Sequence, residues 1–211
     1  MRAFINRMYD KFVTMIGDIK VYKFPFFMVY DPSEYHVTGE DMHQVLDLVK
    51  PGDVLLRGFT YYLDGKFIPG AFSHAAFYAG ENQVIHATAE GVHEENLLSF
   101  LRCDVIAVLR ITDLTPADRL AAVMKAYSLL GRPYDFRFVA GNDAYYCSEL
   151  VSVIYGHMPN LGVAPEPISL LFGLIKKLAI TPVAFLKSSA LQTIYLNEMA
   201  KKRLSGAVKV T

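Results

Sequence analysis

Cysteine is scarce in this chain: among 211 residues there are two, Cys103 and Cys147, and no CxxC pair. Two thiols are too few for a disulfide framework, and they cannot form a zinc site alone, so at least one is expected to be a free thiol. Net charge is also lacking, with 21 Lys plus Arg against 21 Asp plus Glu. Without a positive excess the chain has no electrostatic footprint for a phosphate backbone, and nucleic acid is not an expected partner. No apolar run reaches the ~18 to 20 residues of a membrane span. The opening segment, Met1–Ile19, is broken by Arg2, Asn6, Arg7, Asp10, Lys11 and Asp18, and no small-residue cleavage site follows it. A secretory signal is therefore not expected, and the expectation is a protein that is cytoplasmic or peripheral to a membrane. Repeats, low-complexity stretches, HxxxH and HExxH are absent too. A metal site would have to combine His74 and His86 with a carboxylate such as Glu90 or Glu94, and none is expected; nor is a cofactor.

What is present is a sizeable hydrophobic fraction, 53% of the chain, enough for a substantial core in one domain spanning residues 1–211. Phe4, Ile5, Met8, Phe12, Val13, Met15, Ile16 and Ile19 recur at helical spacing. Such a stripe serves either for packing on the domain or for contact with a membrane surface or partner. Thr38 with Asp41 reads as the N-cap of a helix through Val49, ended by Pro51-Gly52. Short apolar stretches bounded by Gly, Asn or Asp then predict strands at Asp53–Leu56, Ala75–Tyr78, Val84–His86 and Val105–Ile111. Gly80-Glu81-Asn82 reads as the hairpin turn between two of them. Thr115-Pro116-Ala117-Asp118 opens a helix that runs to Gly131, and another helix starts near Cys147. The apolar run Ile168–Ile180 reads as a helix, buried or exposed.

Chemistry gathers at three residues. Cys147 stands where the extended Tyr145-Tyr146 meets an apolar helix, so the helix N-terminus and its free N–H groups point at the sulfur. That setting, with a nearby imidazole, lowers a thiol's pKa and can hold an oxyanion. The alternative is a small buried hydrophobe, the commoner fate of a lone Cys. His74 opens one strand and His86 ends the next, so a short hairpin can set the rings side by side, one as base and one as its orienting partner. Two strand histidines with ordinary hydrogen bonds are the other reading. His36, His43, His93 and His157 read as turn-like or exposed, and Cys103 has no assigned role.

Four blocks, Gly52-Asp53-Val54-Leu55-Leu56, Ser73-His74-Ala75-Ala76-Phe77-Tyr78, Val84-Ile85-His86-Ala87 and Tyr146-Cys147-Ser148-Glu149-Leu150-Val151, resemble those of NlpC-type papain-like cysteine peptidases and amidases. Both histidines precede the cysteine, so the order resembles the circularly permuted, YiiX-like branch, as does Gly131-Arg132-Pro133-Tyr134-Asp135 before the cysteine. The resemblance implies an α+β fold in which a small antiparallel sheet or half-barrel packs against the Cys-bearing helix. The motif core is 51–156, with an N-terminal helical extension at 1–50 and a C-terminal extension at 160–211. It further implies Cys147 as nucleophile, His74 as general base and His86 as the third polar residue, where the permuted branch often has Glu. Tyr134 and Ser148 become substrate-binding candidates, though Tyr134 also suits aromatic packing, and Asp135 and Glu149 suit structural roles. The implied reaction is hydrolysis of an amide through an acyl-enzyme, on a peptide or lipid-like small substrate. The alternatives are a thiol acyltransferase or thioesterase acting on lipids and a non-catalytic binding module. The apolar segments at either end add peripheral membrane contact as an expectation.

Overall fold

The element that opens the described structure begins on a complete capping box: the Thr38 hydroxyl accepts from Asp41 N–H, and the Asp41 carboxylate accepts from Thr38 N–H at 2.7 Å. Helix α1, Gly39–Leu48, follows as the pattern predicts. The computed structural model describes residues 8–9, 35–60, 70–139, 141–156, 161–170 and 175–207. The stripe expected between Phe4 and Ile19 lies outside them, apart from Met8 and Tyr9, and so does His157.

Strands β1 (Val54–Gly58), β2 (His74–Gly80), β3 (Gln83–Thr88), β4 (Gly91–Asn96) and β5 (Val105–Ile111) follow, with the short helix α2 (Leu97–Phe100) between β4 and β5. Glu81 and Asn82 turn the β2–β3 hairpin at φ 50° and 58°, the left-handed pair that a tight two-residue turn needs. Helix α3 (Pro116–Ser128) starts on a second capping box, Thr115 with Asp118, and α4 (Cys147–Ile154) starts at the cysteine. The remaining elements are β6 (Glu166–Leu170), β7 (Ile175–Ala179), α5 (Pro182–Leu186), β8 (Leu191–Leu196) and α6 (Glu198–Ala207).

Six strands form one antiparallel sheet in the order β4-β3-β2-β1-β5-β8. Its central strands are buried on both faces, which is why β1, β2 and β5 read as continuous apolar runs. One face, with Val54, Leu56, Ala75, Phe77 and Ile85, packs on α4 through Leu150, Val151 and Ile154 and on α3 through Ala122 and Ala126. The other, with Leu55, Ala76, Val84, Ile106 and Val108, is covered by Val45 of α1 and by Leu97 and Phe100 of α2. The Cys-bearing helix thus lies on the sheet, and the fold is the α+β arrangement anticipated.

Two buried polar devices lock the strand ends. Asp53, fully buried, takes a forked pair of bonds from Arg110 at 2.8 and 2.7 Å and a third from Lys50 N–H at 2.8 Å. Asn197 accepts from Ile106 N–H at 3.2 Å and donates to the Asp104 carbonyl at 2.9 Å, tying α6 to β5. Each is satisfied, as burial of a polar group requires.

Three expectations need correction. The described residues of the run Ile168–Ile180 are strand and not helix: β6 and β7 pair antiparallel, with Glu166 opposite Ala179 and Pro167 opposite Leu178. The run's composition carries no period that separates strand from helix. Second, β4 was missed because His93, Glu94 and Glu95 leave it no apolar alternation. Third, Gly131 adopts φ 79° beyond α3, and its N–H bonds Val92 of β4 instead of closing the helix.

Candidate active site

Register brings the imidazoles together. Arg57 of β1 stands opposite His74 of β2, and Phe77 opposite Ile85 sets His86 beside Ala76, on the face that His74 shares. His86 in turn stands directly opposite His93 of β4. Arg57, His74, His86 and His93 therefore form a polar row across four neighbouring strands. His74 Nε2 lies 2.9 Å from His86 Nδ1, and His86 Nε2 lies 3.0 Å from His93 Nε2. His93 Nδ1 bonds the Gly91 carbonyl at 3.0 Å.

The row is walled by apolar and charged neighbours. Phe100 of α2 packs edge-on to His86 with centroids 5.7 Å apart, and the Arg57 guanidinium lies 4.2 Å above the same ring. Arg57 also donates to Glu95 at 3.0 Å, and Glu95 lies 3.4 Å from His86 Nε2. Burial first, and the Arg57 charge second, hold His74 well below the ordinary imidazole pKa. The same causes in the same order bring His86 down to about 2. Both rings are neutral at physiological pH.

Cys147 meets β2 at the backbone of Ala75. It is the first residue of α4, and its sulfur accepts from the backbone N–H of Ala75, the residue after His74. The Ser148 hydroxyl lies 3.9 Å from the sulfur, and the N–H groups of Ser148 and Cys147 also face it. Among the described residues no hydrogen bond joins the sulfur to the His74 ring, whose Nδ1 is the nitrogen that His86 leaves unused. The expected depression of the thiol pKa does not appear. Burial pushes Cys147 up, and the helix N–H groups offset only part of that cost. Cys147 is therefore a thiol and His74 a neutral imidazole at rest.

The other candidates fall into place around these three. Ser148 is fully buried, with its hydroxyl facing the Cys147 sulfur and no open surface. Tyr134 is half-buried, edge-to-face with Phe136 at 4.8 Å, and it borders the cluster of Tyr146, Ile168 and Phe138. Asp135 is a turn carboxylate accepting from Arg137 and Val139 N–H at 2.8 and 2.6 Å. Glu149 sits in the first turn of α4 with one buried oxygen lacking a partner, and burial pushes it up to about 7. Cys103 is core: its thiol donates to the Val105 carbonyl at 3.3 Å, and burial pushes it up to about 12.

His93 is the residue that sequence reasoning misplaced. It was expected in a turn-like or exposed context, whereas it lies on β4 against His86. The two-residue turn Ala89-Glu90, which pairs Thr88 with Gly91, was the available signal, because it forces His93 opposite His86. Arg57 and Glu95 were missed because only the pairing of the strands brings them to the histidines. Among the described residues no group of three or more His, Cys, Asp or Glu side chains is disposed to hold a metal ion.

The family model for permuted papain-like amidases of the YaeF/YiiX type, the C92 family, matches residues 48–195, from the end of α1 to β8. The chain belongs to this family. Its match to the probable lipoprotein peptidase YaeF of Escherichia coli K12 is 32% identical over 93 residues, covering 42% of this chain and 34% of that protein. The matched stretch thus spans about a third of that relative's length. In three dimensions the chain is similar to metalloprotein YiiX of Escherichia coli O157:H7, with TM-score 0.59 and 22% identity, covering 71% of this chain and 98% of that one. That likeness speaks for the permuted papain-like fold alone. Membership in an amidase family makes hydrolysis the chemistry to test at Cys147.

Proposed function

We propose that this permuted papain-like chain hydrolyses an amide bond through a cysteine acyl-enzyme, with Cys147 as nucleophile, His74 as base and His86 as the ring that orients it. The observation that supports it most is the bond from Ala75 N–H to the Cys147 sulfur, because it fixes the thiol to the backbone at the residue after His74, whose Nε2 is bonded to His86. His74 Nδ1 takes the thiol proton as the sulfur attacks the carbonyl carbon and the C–S bond forms. The backbone N–H groups at the start of α4 are placed to hold the oxyanion. The imidazolium returns the proton to the leaving amine, the C–N bond breaks, and a thioester remains. Water, deprotonated by the same ring, then cleaves the thioester to release the acid and restore the thiol.

The substrate we propose is a peptide or N-acyl amide, and the relative's name, a lipoprotein peptidase, favours one carrying an acyl chain. The aromatic cluster of Tyr134, Phe138 and Tyr146 beside the nucleophile suits an apolar substituent. The solved Escherichia coli protein is described as a metalloprotein. Here His74, His86 and His93 bond one another in a row that ends on the Gly91 carbonyl, and among the described residues no group of three or more metal-ligating side chains is disposed to hold an ion, so no step is routed through a metal.

The test is turnover of a panel of acyl-peptides and N-acyl amides, with trapping of the thioester by hydroxylamine. Release of acid with loss of activity in Cys147→Ala supports the reading. Undiminished turnover in that variant removes it, and acyl transfer to an added alcohol or amine in preference to water would reassign the chain to acyl transfer.

A further inference from the structure

The Gly91 carbonyl is a pure acceptor, and it fixes more than one ring. A carbonyl can bond His93 Nδ1 at 3.0 Å only if that nitrogen carries the proton. In neutral His93 the Nε2 is then bare and must accept. Its partner at 3.0 Å is His86 Nε2, so that nitrogen carries the proton of His86. His86 Nδ1 is left bare, and it accepts from His74 Nε2 at 2.9 Å. Of the three bare ring nitrogens, His74 Nδ1 is the one that accepts from no other ring in the row.

We infer that His93, anchored on the Gly91 carbonyl, is a positioning residue that sets the tautomers of His86 and His74 and so keeps a bare Nδ1 on the base. The direction is over-determined at the middle ring. Glu95, held by Arg57, offers its carboxylate 3.4 Å from His86 Nε2 and calls for a proton on the same nitrogen. Burial and the Arg57 charge keep His74 and His86 neutral, as a one-way chain of donors requires. The anchor is rigid as well. Gly91 has φ 99°, and a Cβ built there would lie 2.6 Å from the Arg132 carbonyl oxygen, which itself accepts from Val92 N–H at 2.8 Å. The wrong tautomer on a catalytic imidazole disables a base without moving it, which is what gives His93 a role in the reaction although it touches no substrate.

The catalytic consequence rests on the cysteine–histidine reading above, whereas the tautomer chain does not, and the experiment separates them. Long-range proton–nitrogen spectra of the 15N-histidine-labelled full chain at mildly alkaline pH assign each ring. The expected pattern is Nδ1–H on His93 and Nε2–H on both His86 and His74. Nδ1–H on either His86 or His74 overturns the proposal, whatever the enzyme does. His93→Leu is expected to give a mixed His86 signal and to lower kcat roughly tenfold with little change in KM. His93→Gln, whose side-chain carbonyl can accept, is expected to recover most of both. An unchanged His86 spectrum and kcat in His93→Leu overturn the proposal. If His93→Leu does not fold, the wild-type and His93→Gln spectra decide. The expected pattern alongside an inert Cys147 leaves the tautomer chain standing and removes the hydrolase.

Discussion

His74 Nε2 lies 2.9 Å from His86 Nδ1, and both rings are held neutral inside the protein although each would titrate near pH 6.5 in an unfolded chain. Their folded pKa values are depressed, so their contribution to stability is present above the unfolded value and is lost as pH falls from about 6.5 toward 2. Each ring contributes a slope of up to ~1.4 kcal/mol per pH unit in that window. Urea midpoints measured between neutral and mildly acidic pH should therefore fall steeply. The fall should be shallower in His86→Gln, which has no proton to gain there. A flat profile in the wild type would contradict the buried neutral row.

The nucleophile should behave as a buried thiol at rest. Because burial raises Cys147, the alkylation rate of the free enzyme should rise with pH to a limb above the ordinary thiol value of ~8.5. A limb well below that value would mean a resting ion pair with His74 and would contradict the electrostatics described above. For turnover on an amide substrate, His74→Ala should cost roughly 10²- to 10⁴-fold in kcat, and Cys147→Ala should abolish it while far-UV circular dichroism is unchanged.

Glu149 should show the opposite pH dependence from the histidines. Burial raises its folded pKa from the ordinary 4.5 to about 7, so its contribution is fully present below the unfolded value and is lost as pH rises through the folded one. Glu149→Gln removes that loss. It should stabilise the protein by ~1 kcal/mol at mildly alkaline pH, after allowance for solvent screening, and leave stability below pH ~4.5 unchanged. Parallel urea titrations at the two pH values read the difference directly.

Removing one half of the buried Asp53–Arg110 pair should be costly. Among the described residues, Arg110→Met leaves the Asp53 carboxylate with the Lys50 N–H as its donor, in a site with no solvent access. A loss of ~3–5 kcal/mol is expected, and a chemical denaturation curve checks it. A loss under ~1 kcal/mol would show that Asp53 finds water or protonates when its partner goes.

Local rules were enough for much of this molecule. Thr38 with Asp41, and Thr115 with Asp118, announce helix starts because a short side chain and a carboxylate three residues on answer each other's N–H groups without help from the rest of the chain. The strands that hold Leu55, Phe77, Val84 and Val108 are legible because they are buried on both faces, and Cys147 at a strand-to-helix junction is legible from the change of period around it. The order of the blocks, histidines before cysteine, carried the permuted family resemblance. What the tertiary structure alone decided lies across strands. Arg57, His74, His86 and His93 come from four strands, and their alignment depends on a register summed over two turns and a long connection. β4 hid because a strand carrying histidine and glutamate has no apolar alternation until its partner supplies the site it faces. The raised thiol was hidden for a related reason: a helix N-terminus is visible in sequence, but the burial that outweighs it is a property of everything packed around Cys147.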